Sequence, residues 1–164
     1  MDPFTATATI SKPREEVFEY LADIANHSEF TDHYLVDWRL TRENSYGEGA
    51  GARFRMKAPL SRFSWADMTF AEVQSPFRIV GRGRGGKYNR IRMLGTYTLS
   101  PGPAGSTRVE YTLETVPVML SDRLMEALVS GRWTRRQTGK ALRRLRDILE
   151  EGRGRGRRAT IAGR

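Results

Sequence analysis

Apolar and polar residues alternate along Phe4–Ile10. Phe4, Ala6, Ala8 and Ile10 fall on one side, and Thr5, Thr7 and Thr9 on the other. That period predicts a half-buried strand. Ser11 then stands as an N-cap, Pro13 sits just inside a helix start, and Glu15 and Glu16 occupy the first turn, where the helix dipole favours them. Val17, Phe18, Leu21 and Ile24 give this helix its apolar stripe. Ala25–His33 reads as a second short helix or turn and holds both histidines of the chain, His27 and His33.

Six more strands are predicted. Leu35–Thr41 puts Val36, Trp38 and Leu40 on one face, with Asp37 and Arg39 on the other. Gly51–Ala58 sets Phe54 and Met56 against Arg53, Arg55 and Lys57. Ser64–Val73 has no single phase: Met68 and Phe70 share one parity, Trp65 and Val73 the other, which predicts a bulge midway. Phe77–Gly83 follows after a Ser75-Pro76 turn, then Tyr88–Ser100 with Ile91, Met93, Tyr97 and Leu99. After a Gly/Pro cluster, Arg108–Val116 alternates cleanly, with Val109, Tyr111 and Leu113 facing one way. A long helix is predicted from Leu120 to Glu150, with Leu124, Leu128, Leu142, Leu145 and Leu149 as its buried stripe and Gly131 and Gly139 as interruptions.

This order predicts an α+β domain over residues 1–151. A curved antiparallel sheet of six or seven strands wraps around the long C-terminal helix, and two short helices follow the first strand. Residues 152–164 contain Gly152-Arg153-Gly154-Arg155-Gly156-Arg157-Arg158, almost without apolar content, and are expected to form a disordered basic tail.

Composition narrows the function classes. The chain has 164 residues and no cysteine, which excludes disulfides, thiolate metal sites and a cysteine nucleophile. No apolar run approaches the ~20 residues of a membrane span, and no signal peptide is visible, so a cytoplasmic location is expected. The net charge is +9, and all of the excess lies from Arg132 onward, where 12 Lys+Arg face 3 Asp+Glu. Such an end can touch nucleic acid or an anionic membrane weakly and non-specifically.

Four stretches, taken in order and spacing, carry a family resemblance. They are Ala8–Pro13 running into Val17–Asp23, Gly47–Phe54, Glu72–Val80, and Gly95–Ser100 through Gly105–Tyr111. Together they span about residues 4–150 and resemble the START-like (SRPBCC, helix-grip) superfamily, in particular its polyketide cyclase/dehydrase and lipid transport group. The resemblance implies the helix-grip fold with a pocket between sheet and helix. It does not fix an activity, because one fold hosts many functions.

Strand parity places Trp38, Phe54, Met56, Tyr97 and Tyr111 inside, with Leu113, and helix periodicity adds Met125 and Leu128. Met68 and Phe70 join them where their phase holds. Asp67 is a candidate only if the Val73 phase holds throughout its strand, since a buried carboxylate without a partner is costly. His33 is a candidate for the pocket mouth. The two histidines have no third ligand near in sequence, so no metal site and no cofactor are expected. Arg82–Arg90 is a basic stretch around glycines without the Lys-Ser/Thr ending of a phosphate loop.

The leading expectation is therefore a binder of a small hydrophobic or amphipathic ligand, such as a lipid, polyketide or aromatic metabolite. Two alternatives stay open: a cyclase/dehydratase-type enzyme, and a nucleic-acid- or membrane-associated module using the basic end. A homodimer is also left open.

Overall fold

A computed structural model describes residues 2–59, 64–119 and 131–162. These residues form seven strands: β1 (Phe4–Ile10), β2 (Leu35–Leu40), β3 (Gly51–Met56), β4 (Trp65–Gln74), β5 (Arg78–Gly85), β6 (Ile91–Pro101) and β7 (Thr107–Pro117). They also form three α-helices: α1 (Arg14–Ala22), α2 (His27–Thr31) and α3 (Gly131–Glu151), with a 3-10 turn at Ile24–Asn26 before α2. All strand neighbours are antiparallel, in the order β1-β7-β6-β5-β4-β3-β2. The sheet is thus a meander from β2 to β7, closed at one edge by the N-terminal strand. α3 packs on β1 and α2, which is the α+β helix-grip arrangement.

The core lies between the inner sheet face and the helices. Ile10, Val17, Phe18, Leu21, Ile79, Val109, Leu145 and Ile148 are at most 2% exposed. Burying a side chain of this kind stabilises by about 1.5–3 kcal/mol each. The buried side of α3 repeats at helical spacing: Gly131, Thr134, Thr138, Ala141, Leu142, Leu145, Ile148. Gly139 sits inside a continuous helix and does not interrupt it. The predicted start of that helix at Leu120, and with it Leu124, Met125 and Leu128, lies outside the described residues.

Two irregularities re-aim side chains. In β2 the register shifts between Val36 and Arg39, and Asp37 takes a left-handed φ of 56°, a conformation Asp tolerates better than most residues. The extra residue puts Val36 opposite Arg55 on the outer face and returns Trp38 to the inner one. Val36 and Trp38 therefore do not share a face as plain alternation predicts. In β4 the shift falls between Phe70 and Glu72. Ala66, Met68 and Phe70 point inward before it, and Val73 packs on the core after it, so the midway bulge is present.

The segment after α3 differs from the expected disordered tail. Residues 153–162 run back along the body. The Gly156 and Ala159 amides donate to the carbonyls of Glu29 and Ala25 (both 2.9 Å), and the Leu40 amide donates to Thr160 (3.0 Å). Ser28 Oγ donates to the Arg157 carbonyl at 2.6 Å, and Arg158 pairs with Asp23. Ala159 is buried. The segment has few apolar residues, but main-chain hydrogen bonds and arginine–carboxylate pairs hold it where a larger hydrophobic anchor is missing.

Candidate functional site

The inner face is not filled along its whole width. On β5 the inward positions are Ile79, Gly81, Gly83 and Gly85, and Gly81 lies directly opposite Gly95 of β6. The Gly-Arg alternation of Gly81–Gly85 is thus a strand whose inner face is bare and whose Arg82 and Arg84 are exposed. Neighbouring side chains use the room. A Cβ on Gly81 would meet Met68 Sδ at 2.8 Å, and one on Gly95 would meet the Tyr111 hydroxyl at 2.6 Å. Across from this strip, α3 presents Thr138 and Ala141, which are too small to fill the gap.

A hollow results between sheet, α2 and α3. About 60 Å³ of it is open to the centre of a water-sized sphere, within a total empty volume, open mouth included, of about 590 Å³. The first figure exceeds several-fold the ~10–15 Å³ that one water requires. Trp38, Phe54, Phe70, Tyr97 and Tyr111 form the aromatic wall. Trp38 and Phe54 stack at 4.6 Å between ring centroids, and Tyr97 and Tyr111, a directly paired couple on β6 and β7, at 4.5 Å.

Of the predicted site residues, Trp38, Phe54, Met68, Phe70, Tyr97 and Tyr111 come together here. Three others do not. Met56 is half-buried against the core but does not line the hollow. Asp67 stands on the outer face, 3.6 Å from Arg53, because the β4 bulge comes after it and not before. His33 lies beside α3, where Arg144 donates to its Nδ1 at 3.1 Å and its Nε2 donates to the Gln137 carbonyl at 3.3 Å. Burial first, and the Arg144 charge among lesser causes, lowers its pKa. It serves as a strut between the α2–β2 turn and α3 and does not line the hollow. Met125 and Leu128 lie outside the described residues.

Sequence reasoning overlooked His27 and Tyr34. His27 lines the hollow and packs among Phe30, Phe70 and Tyr97 at 5.3–5.5 Å. Its Nε2 lies 2.8 Å from the Leu21 carbonyl. A carbonyl only accepts, so Nε2 carries the proton and Nδ1 is left as an acceptor. Burial lowers its pKa to about 4, which keeps the ring neutral near pH 7. Tyr34 packs edge-on to Trp133 at 5.9 Å and its hydroxyl faces Thr138. Burial pushes its phenol up to about 12. Burial also raises Tyr97 and Tyr111, and for Tyr97 the neighbouring phenols add to it. The Thr138 hydroxyl is buried with no hydrogen bond of good geometry among the described residues.

Among the described residues, no Asp, Glu, Lys or Arg lines the hollow, and no cluster of three or more His, Cys, Asp or Glu side chains could hold a metal ion. No described helix is long and apolar enough to cross a membrane.

A curved antiparallel sheet gripping one long helix over a partly empty inner face defines a START-like domain. The chain belongs to the polyketide cyclase / dehydrase and lipid transport family, whose model matches residues 1–150. Its fold is similar to that of TTHA0849 from Thermus thermophilus (17% identity, 90% of this chain and 96% of that one, TM-score 0.66). It is also similar to protein Ms6760 from Mycobacterium smegmatis (13%, 91% and 91%, 0.64). Ginseng major latex-like protein 151 from Panax ginseng shares it as well (8%, 88% and 94%, 0.65). At these identities the likeness shows the fold alone. No curated protein sequence matches the chain.

Proposed function

We propose that this protein binds a small hydrophobic or amphipathic molecule in the hollow between sheet and α3, for carriage or sensing. One observation carries the reading: Gly81 and Gly95 let Met68 and Tyr111 lie close against the sheet, and the small Thr138 and Ala141 line the hollow from α3, so the aromatic wall surrounds space where a plain core would be filled. An enclosed, mainly apolar site with a few polar groups is the usual form of a small-molecule pocket. Acid–base turnover draws no comparable support. It needs groups poised near the working pH, whereas His27 stays neutral and the tyrosines stay protonated there. In the returning segment Arg153, Arg155 and Arg158 pair with Glu151, Glu29 and Asp23, so these three charges already have partners within the chain.

The test is mass spectrometry of the natively purified chain, with an environment-sensitive apolar dye as a second probe. A small apolar compound released on denaturation is expected, as is micromolar dye binding that the space-filling variant Ala141→Phe abolishes. A chain that carries nothing and binds no dye, or a variant that binds dye as before, removes the proposal.

A further inference from the structure

Among the described residues, the polar groups that line the hollow are few, and all are uncharged. Tyr34, Tyr97 and Thr138 are 7%, 8% and 3% exposed, and with the half-buried Tyr111 they line one space. The rings of Tyr97 and Tyr111 lie with their centroids 4.5 Å apart, and Tyr34 lines the same space. The Thr138 hydroxyl, which the Tyr34 hydroxyl faces, makes no hydrogen bond of good geometry among the described residues. His27, whose Nδ1 is unprotonated, and Thr31, whose hydroxyl donates to the His27 carbonyl at 2.6 Å, also line the hollow. The nearest buried carboxylate, Glu29, does not face the hollow. It accepts from the Tyr20 hydroxyl at 2.5 Å and pairs with Arg155 at 3.3 Å.

From this juxtaposition we infer that the hollow selects an uncharged, flat ligand carrying a hydrogen-bond-accepting oxygen, such as an aryl ketone or quinone, seated against the hydroxyls of Tyr34, Tyr97 and Tyr111, and that it turns away carboxylates. The inference rests on the binding function proposed above and names the ligand class for it. The aromatic wall supplies flat apolar contact. The hydroxyls supply donors that a neutral oxygen satisfies. A carboxylate would have to shed its water with no cation among the described lining residues to meet it, which is far costlier than burying a neutral carbonyl. Free fatty acids at neutral pH are therefore poor ligands, although their chains suit the wall.

Three isosteric probes separate the ideas: 2-acetonaphthone, 2-naphthoate and 2-ethylnaphthalene, titrated into the full chain at pH 7.5 by calorimetry or by Trp38 fluorescence. The ketone is expected to bind at least tenfold tighter than the carboxylate. Tyr97→Phe and Tyr34→Phe, checked for an unchanged melting profile, should each weaken ketone binding about three- to tenfold and leave the hydrocarbon unaffected. Should one variant fail to fold, the other and the wild-type ketone-to-carboxylate ratio still decide. Equal affinity for ketone and carboxylate, or tyrosine variants that lose nothing for the ketone, overturns the ligand class and leaves the binding function standing. If none of the three binds, both fall together.

Discussion

The two halves of α3 meet the same sheet and do opposite things. Its C-terminal half presents Leu145 and Ile148 over β1, and with Ile10, Val17, Phe18, Leu21 and Val109 they pack to near-zero exposure. Its N-terminal half buries Gly131, Thr134, Thr138 and Ala141, and of these Thr138 and Ala141 line the hollow together with Gly81 and Gly95. A filled half fixes the helix, and a thin half leaves room beneath it. The contrast teaches that a pocket in this fold needs no separate domain, only small side chains on two facing elements at one end of an otherwise ordinary core.

The sharpest test pairs one substitution from each half. Leu145→Ala empties a fully buried site and should lower the unfolding free energy by about 3 kcal/mol, within the ~2–5 kcal/mol of such changes. Ala141→Leu grows into existing space and should stay within about 1 kcal/mol of the parent, where overpacking a filled core typically costs ~1–3 kcal/mol. Urea unfolding measures both. If Ala141→Leu destabilises as strongly as Leu145→Ala, the two halves are equally full and the contrast collapses.

His27 sits at the seam between the halves and makes it sensitive to acid. Its pKa is lowered by burial from 6.5 to about 4 in the folded state. Unfolded chains take up the proton below about pH 6.5 while the folded chain does not, so stability falls as pH drops through that window. The loss should approach about 3 kcal/mol near pH 4. His27→Gln keeps a donor for the Leu21 carbonyl and removes the titration. The difference between wild-type and variant stability should therefore be flat above pH 7 and slope between pH 6.5 and 4. A difference that is flat across that range would mean the ring is hydrated and the seam open.

The returning C-terminal segment braces the open half from behind, since it bonds to Ala25, Ser28 and Glu29 on or beside α2. Truncation after Gly152 removes the main-chain hydrogen bonds to Glu29, Ala25 and Leu40 and the longer one from Arg153 to Asp147, each worth about 1 kcal/mol net, and leaves Glu29 without its Arg155 partner. Exposed ion pairs such as Arg153–Glu151 add little. A stability loss of about 3–4 kcal/mol is expected, with a weaker grip on any cavity ligand. A truncated chain that melts at the parent temperature would show that the brace carries no load.

The sequence was most legible where period alone decides direction. Arg108–Val116 and Phe4–Ile10 alternate cleanly, and the structure pairs them residue by residue, from Phe4 with Leu113 to Ile10 with Thr107. It was less legible where a bulge changes phase. Nothing in the Leu35–Leu40 pattern says that Asp37 adopts a left-handed φ, so Val36 is assigned to the wrong face. The open half was hardest, because a cavity is made by what is missing. Gly81 and Gly83 fall in the predicted Phe77–Gly83 strand and Gly85 in a basic turn around arginines, although glycine at every second position of a strand is also the mark of a face without side chains. His27 and Tyr34 come from short irregular segments whose periods are too brief to give direction. The basic tail misleads for another reason. Composition reports apolar content and cannot see main-chain hydrogen bonds to a surface made elsewhere in the chain.

The smallest expected effect belongs to Asp67, and its smallness is the point. A carboxylate inside the hollow would be the one charged group on its wall, and the uncharged-ligand inference could not stand beside it. The structure instead sets Asp67 on the outer face opposite Arg53 and Arg84, with its side chain 44% exposed and the Arg53 Nε 3.6 Å away. A pair so long and so wet contributes less than about 0.5 kcal/mol, because solvent screens it and two mobile side chains must be held to make it. Asp67→Asn keeps the size and strand position and removes the charge. Urea unfolding should show a change below that figure, and the affinities for 2-acetonaphthone and 2-naphthoate should both stay as they were. A gain in carboxylate binding would mean that the Asp67 charge is felt inside the sheet. The distinction between an inner wall without charge and an outer face full of it would then be lost, and with it the reason for expecting anions to be refused.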